Sequence, residues 1–324
     1  MADLTLDELV SRLRDHAGLR SKRPIAMVRE VFGATDWIAG PGDDGAVVDD
    51  GDGRLVVCGE AMYPPFAATD PYGAGVAAVL TNVNDVAAMG GVPLAVVDTI
   101  VGEESACRGA LEGMRYASQL YQVPIVGGHL TIAAQPLSVA AFAVGRCPVP
   151  LSSTAAAPGQ RLGLLVCLDG EMRTDFPFFR SFVERGERLG GDVRLLAELA
   201  GAGTCVAAKD VSMAGMFGSL AMLLEPSGCG VAIAESAVPC PEGVDLAQWL
   251  VAFPCFAFLV CTTAELEPRC CDAAEGRGLS YASLGELDAT GRIELARDGE
   301  RRTVIDLGRE DVTGLRSPAP TTGS

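Results

Sequence analysis

Two acidic motifs, Gly42-Asp43-Asp44-Gly45-Ala46 and Asn82-Val83-Asn84-Asp85-Val86, hold the residues of this chain best suited to chemistry. Each sets carboxylates among small and apolar neighbours, where a solvated charge gains nothing. Two like charges ~4 Å apart repel by about 1 kcal/mol in water and by about 4 kcal/mol at an effective dielectric of ~20. A cation removes that cost. Hard divalent ions such as magnesium take oxygen ligands and arrive with substrate phosphates. The motifs therefore point to a metal–nucleotide site.

Two further segments could complete it. Lys209-Asp210-Val211-Ser212-Met213-Ala214-Gly215 lies between an expected strand and an expected helix. A helix N-terminus offers free N–H groups to a phosphate, although Asp210 or Ser212 could equally be a simple helix cap. In Ile125-Val126-Gly127-Gly128-His129-Leu130-Thr131, paired glycines after a strand allow close approach of backbone to a ligand. His129 could ligate metal or phosphate, or be a solvated histidine in a hairpin turn. Asp43 and Asp44 could be turn residues after Gly42, and Asn82 with Asp85 a hydrogen-bonded core pair.

The elements that position these residues follow an α/β rhythm. Residues 5–16 read as an amphipathic helix with Leu6, Leu9, Val10 and Leu13 on one face, and His16 on its polar side. Ala46–Val48 and Leu55–Cys58 read as a hairpin. Asp70-Pro71 starts a helix running to Met89, small and apolar on most sides and therefore buried. Asn82 and Asp85 share one face of it. Leu94–Val101, Pro124–Val126 and Leu137–Val144 read as strands and Ala106–Tyr121 as a helix. Residues 152–159 read as a linker. Beyond it come a strand at Leu162–Leu168, helices at Phe176–Gly186 and Arg194–Ala200, and strands at Thr204–Ala208, Gly230–Ala234 and Phe256–Cys261. The expected domains are 1–155, 156–316 and a disordered tail from 317 to 324.

Bulk properties exclude several classes. With 25 basic against 42 acidic residues and a net charge of −17, the chain lacks the basic footprint of a nucleic-acid or anionic-membrane binder. Lys22 and Lys209 are its only lysines, and no G-x-x-x-x-G-K-[ST] run occurs, which excludes a lysine-bearing phosphate loop. Gly73-Ala74-Gly75-Val76-Ala77-Ala78 follows prolines rather than a strand and is rejected as a dinucleotide fingerprint. The 11 cysteines show no zinc or disulfide spacing; Cys58, Cys167, Cys205 and Cys261 read as small core hydrophobes. No signal pattern or membrane-length apolar run is present, so a cytoplasmic location is expected.

Taken in order, the motifs resemble those of the aminoimidazole ribonucleotide synthase superfamily, with thiamine-monophosphate kinase, selenophosphate synthetase and a hydrogenase maturation factor among its branches. Gly42-Asp43-Asp44-Gly45-Ala46 is similar to the G-D-D-A-A motif of the kinase branch, and Asn82 to Gly90 to its N-L-S-D-I-A-A-M-G helix. Gly127-Gly128-His129 resembles G-G-D, G-G-E or G-G-H, and Lys209-Asp210-Val211-Ser212 resembles the D-x-S-D-G loop. The resemblance implies an α/β, two-domain synthase-like fold. An N-terminal mixed sheet would form a barrel shared by two subunits of a homodimer, beside a C-terminal α/β domain. It also implies a Mg2+-dependent, ATP-using enzyme that phosphorylates or activates a small molecule. Asp43, Asp44, Asp85 and Asp210 would hold metal, with Glu60 as a substitute ligand. Asn82, Gly127, Gly128, His129 and Ser212 would bind nucleotide. Asp43, Asp85 and Asp210 would carry catalysis. Met213 replaces the second Asp of D-x-S-D-G, and Pro64-Pro65-Phe66 replaces the substrate-side E-G-V-H-F segment. These departures point to a synthase-related branch; thiamine-monophosphate kinase and a nucleotide-binding protein without turnover are the alternatives.

Overall fold

Asp70 caps the helix Pro71–Ala88: its Oδ1 accepts the Gly73 N–H at 2.8 Å, and Pro71 fills the first helical position. The computed structural model describes residues 4–33 and 42–315. From Ala74 onward the helix is almost wholly buried, Asn82 and Asp85 included. With the helix Glu104–Tyr121 it covers one face of a five-stranded sheet. The strands are β1 Ala46–Asp49, β2 Arg54–Ala61, β3 Val92–Gly102, β4 Ile125–Ile132 and β5 Ser138–Arg146, in the order β1-β2-β5-β3-β4. β3 and β4 run parallel; the other pairs are antiparallel. On β5, Val139, Ala141 and Ala143 are buried beneath the helices, while Phe142 is exposed on the other face. Among the described residues β1 and β4 are the edge strands of this mixed sheet.

Contacts divide the chain into two compact units that are not consecutive blocks. One is residues 44–150 with 182–201; the other is 1–43 with 151–181 and 202–324. These units differ from the expected blocks 1–155 and 156–316. Residues 182–201, three short helices, pack with the five-stranded sheet unit. The N-terminal helix joins the other unit, where Leu6, Leu9, Val10 and Leu13 enter its single apolar core.

That second unit is built on an antiparallel sheet in the order Ser280–Glu286, Arg161–Val166, Ala257–Thr262, Cys205–Asp210, backed by the buried helix Gly215–Leu224. The expected 152–159 linker is instead ordered chain at its edge, with Leu151 and Ser153 buried. The helix expected over 176–186 is confined to Phe182–Arg185, because Pro177 precedes the short strand Phe178–Arg180, which pairs in parallel with Phe253-Pro254. A helix at Glu267–Glu275 and strands at Ser280–Glu286, Arg292–Arg297 and Glu300–Asp306 lie beyond the last element read from the sequence. The expected tail lies outside the described residues.

Candidate metal and nucleotide site

Within the five-stranded unit, one carboxylate oxygen of Asp44 and one of Asp85 lie within 4.8 Å of each other. Asp85 is 6% exposed on the buried helix. Asp44 sits in the turn leading into β1, anchored by Gly45, which lies against Val56 and Met89. Like charges this close repel, and an oxygen-only donor set is that of a hard divalent cation. The residues present thus fit a magnesium ion. One turn back, Asn82 Nδ2 donates to the Ala78 carbonyl at 2.8 Å and its Oδ1 accepts from Cys58 Sγ at 3.4 Å. Cys58 is thus half-buried and hydrogen-bonded to the site helix rather than a core hydrophobe.

The sheet register sorts the remaining candidates by face. Cys58 points at the helix, so Glu60, two residues along β2, shares that face, in a row with Ala141 of β5, Asp98 of β3 and Gly128 of β4. Glu60 is exposed and falls outside the carboxylate group that contains Asp44 and Asp85. His129 alternates to the opposite face, where its Nε2 meets Thr131 Oγ1 at 3.1 Å. The sheet stands between His129 and the helix that carries Asp85. Gly127-Gly128 does not follow a strand but lies inside β4. A β-carbon on Gly128 would stand 2.5 Å from Asp98 Oδ1, so the glycine makes room for a carboxylate. A phosphate at Gly128 would meet that negative charge.

Asp98 belongs to none of the sequence motifs. It is 9% exposed, and burial pushes its carboxyl pKa up. Its signal was present: a lone acid among Val96, Val97, Thr99 and Ile100, on the buried side of an alternating strand.

In the other unit, Asp43 is turned to the Ser152–Ser153 segment. Ser152 Oγ donates to its Oδ2 at 2.8 Å and the Ser153 N–H to its Oδ1 at 2.7 Å. Burial raises its pKa, with those donors and the Lys209 charge working the other way. Each oxygen thus accepts one hydrogen bond, which ties Asp43 to that segment. Lys209 and Asp210 end a strand rather than open a loop, and they pair at 3.1 Å with both side chains buried. Burial pulls the Lys209 pKa down; Asp210 and Asp43 pull it back up. Neither Asp210 nor Ser212 caps the next helix, whose N-cap is Ala214 without a side-chain bond. The Ser212 hydroxyl is buried and lacks a hydrogen-bond partner among the described residues. The 210–215 turn is held by the N-terminal segment. His16, beyond the end of its helix rather than on the helix's polar side, donates from Nε2 to the Met213 carbonyl at 2.8 Å. A β-carbon at Gly18 would collide with the same carbonyl.

Comparisons with known proteins agree with this architecture. Residues 42–147 match the AIR synthase related protein, N-terminal domain, and residues 180–298 match the AIR synthase related protein, C-terminal domain. An uncharacterised protein of Synechocystis sp. is 32% identical over 96% of this chain and 98% of its own length. The thiamine-monophosphate kinase of Pyrococcus horikoshii is 34% identical over 40% of this chain and 43% of its own. Among solved structures, T. maritima PurL complexed with FGAR gives a TM-score of 0.76 at 17% identity, over 99% of this chain and 55% of that one. AaThiL complexed with AMPPCP and TMP gives 0.66 at 17% identity, over 86% and 93%. The chain spans about half the length of the PurL chain it matches.

Proposed function

The chain belongs to the AIR synthase related family, and from that premise we propose that it is a Mg2+-dependent, ATP-using enzyme that phosphorylates or activates a small molecule. The observation that carries this reading is the Asp44–Asp85 carboxylate pair on and beside a buried helix. The reading assigns the metal to Asp44 and Asp85. Magnesium would supply charge neutralisation for the triphosphate. The chain's own part is positioning: the buried helix fixes Asp85, Cys58 orients Asn82, and Ser212 offers an unmatched hydroxyl to a phosphate oxygen. Asp43 is left with a structural role, as its bonds to Ser152 and Ser153 support.

Nucleotide and substrate complexes of PurL and AaThiL support the ATP assignment by fold alone. The test is calorimetry of the full chain with ATP, with and without magnesium. Binding that requires magnesium is expected; its absence overturns the reading.

The same reading takes the protein as a homodimer. The sheet face away from the helices carries Val57, Val97 and Phe142, at 39%, 39% and 48% exposure, around one shared concavity. A second copy of that face would bury them.

A further inference from the structure

Asp98 lies on the same sheet face as the site helix, one row of the sheet beyond Cys58, and has no hydrogen-bond or ion-pair partner among the described residues. We propose that Asp98 receives a protonated amine, and that in the enzyme this amine belongs to the small-molecule acceptor. Only the word acceptor rests on the ATP-using reading; the subsite is read from the sheet itself.

Either protonation state leaves Asp98 unmatched. An ionised carboxylate there lacks a donor, and a protonated acid lacks an acceptor. Asp98 is mostly buried, yet its oxygens are not sealed off among the described residues, so the missing partner can arrive from outside. Access is built in: Asp98 Oδ1 and Oδ2 lie 2.5 and 2.6 Å from where a β-carbon on Gly128 would stand, and Gly128 is exposed. A ligand therefore reaches both oxygens across bare main chain. Ala141, in register on the other side, keeps the floor small.

The chemistry of the visitor follows from what Asp98 has around it. A divalent ion needs about six oxygen ligands, and Asp98 belongs to no group of three metal-capable side chains among the described residues. A phosphate would be repelled. A protonated amine brings a single charge and N–H donors, which is what one desolvated carboxylate can match. Glu60, roughly 10 Å away by strand spacing in the same row, adds negative potential.

The test uses the full-length protein without nucleotide. Its thermal midpoint is followed against methylammonium chloride, with tetramethylammonium and sodium chloride at equal ionic strength as controls. The wild type should show a saturable rise with methylammonium alone. In Asp98→Asn the apparent affinity should fall by about tenfold or more, the loss of one charge-assisted hydrogen bond. Asp98→Asn itself should be at least as stable as the wild type. An equal response in the variant, an equal response to tetramethylammonium, or a lower midpoint for Asp98→Asn overturns the proposal. Because nucleotide is left out, a failure of Mg–ATP binding would sink the enzymatic reading without touching this result.

Discussion

Glu225 and Asp98 are both buried acids, 1% and 9% exposed, in different units of the chain, and the fold treats them in opposite ways. Glu225 accepts from the Val312, Thr313 and Gly314 N–H groups and from the Thr313 hydroxyl, so four donors tie the end of the described chain to the core. Asp43, in the same unit, is bonded by Ser152 and Ser153. Asp98 has no such donors among the described residues, and Asp85 is held within 4.8 Å of another carboxylate. A protein that can satisfy a buried acid with its own groups has done so where the acid is structural. The acid without a donor among the described residues, Asp98, lies on the helix-covered face of the five-stranded sheet.

The largest effect should come from breaking the satisfied side of this contrast. Glu225→Ala orphans four donors, and stability measured by chemical denaturation should fall by roughly 3 kcal/mol, while Mg–ATP binding by the remaining folded protein persists. A loss well under 1 kcal/mol would show that the carboxylate is not what holds residues 312–314. Next in size, Phe142→Glu puts a charge into the exposed apolar face, and sedimentation velocity should show a dimer shifting to monomer; an unchanged sedimentation coefficient would remove that face as the interface.

The smallest effect concerns pH. Asp98 has a raised pKa in the folded state. Its contribution is therefore fully present below the ordinary carboxylate pKa and is lost as pH rises through the folded value. The wild type should thus gain on Asp98→Asn as the pH falls, and the midpoint gap should be widest near neutrality. A gap constant with pH would mean that Asp98 does not titrate as an unmatched acid.

Much of the sheet unit was legible because its signals are local. Asp70-Pro71 announces a helix start, and the small apolar run after it announces a buried helix carrying Asn82 and Asp85. What failed depended on tertiary partners. Gly127-Gly128 looked like a turn because glycine weakens strands, yet β4 continues through it to Ile132, paired along β3, with Asp98 filling the space above Gly128. Lys209-Asp210 looked like a loop because two charges rarely end a buried strand; their mutual pairing allows it. Phe178–Arg180 joins a strand far along the chain, at Phe253-Pro254, which no local pattern encodes. His16 could not be placed without knowing that the Met213 carbonyl lies beside it.

Asp85→Asn tests the central assignment most directly. It keeps the shape of the side chain while removing the charge that needs a cation. Calorimetry should show ATP binding in magnesium lost by about a hundredfold or more, with the midpoint of the magnesium-free protein unchanged or raised because repulsion with Asp44 is relieved. Retained magnesium-dependent ATP binding together with a sharp drop in that midpoint would make Asp85 a core residue and contradict the assignment.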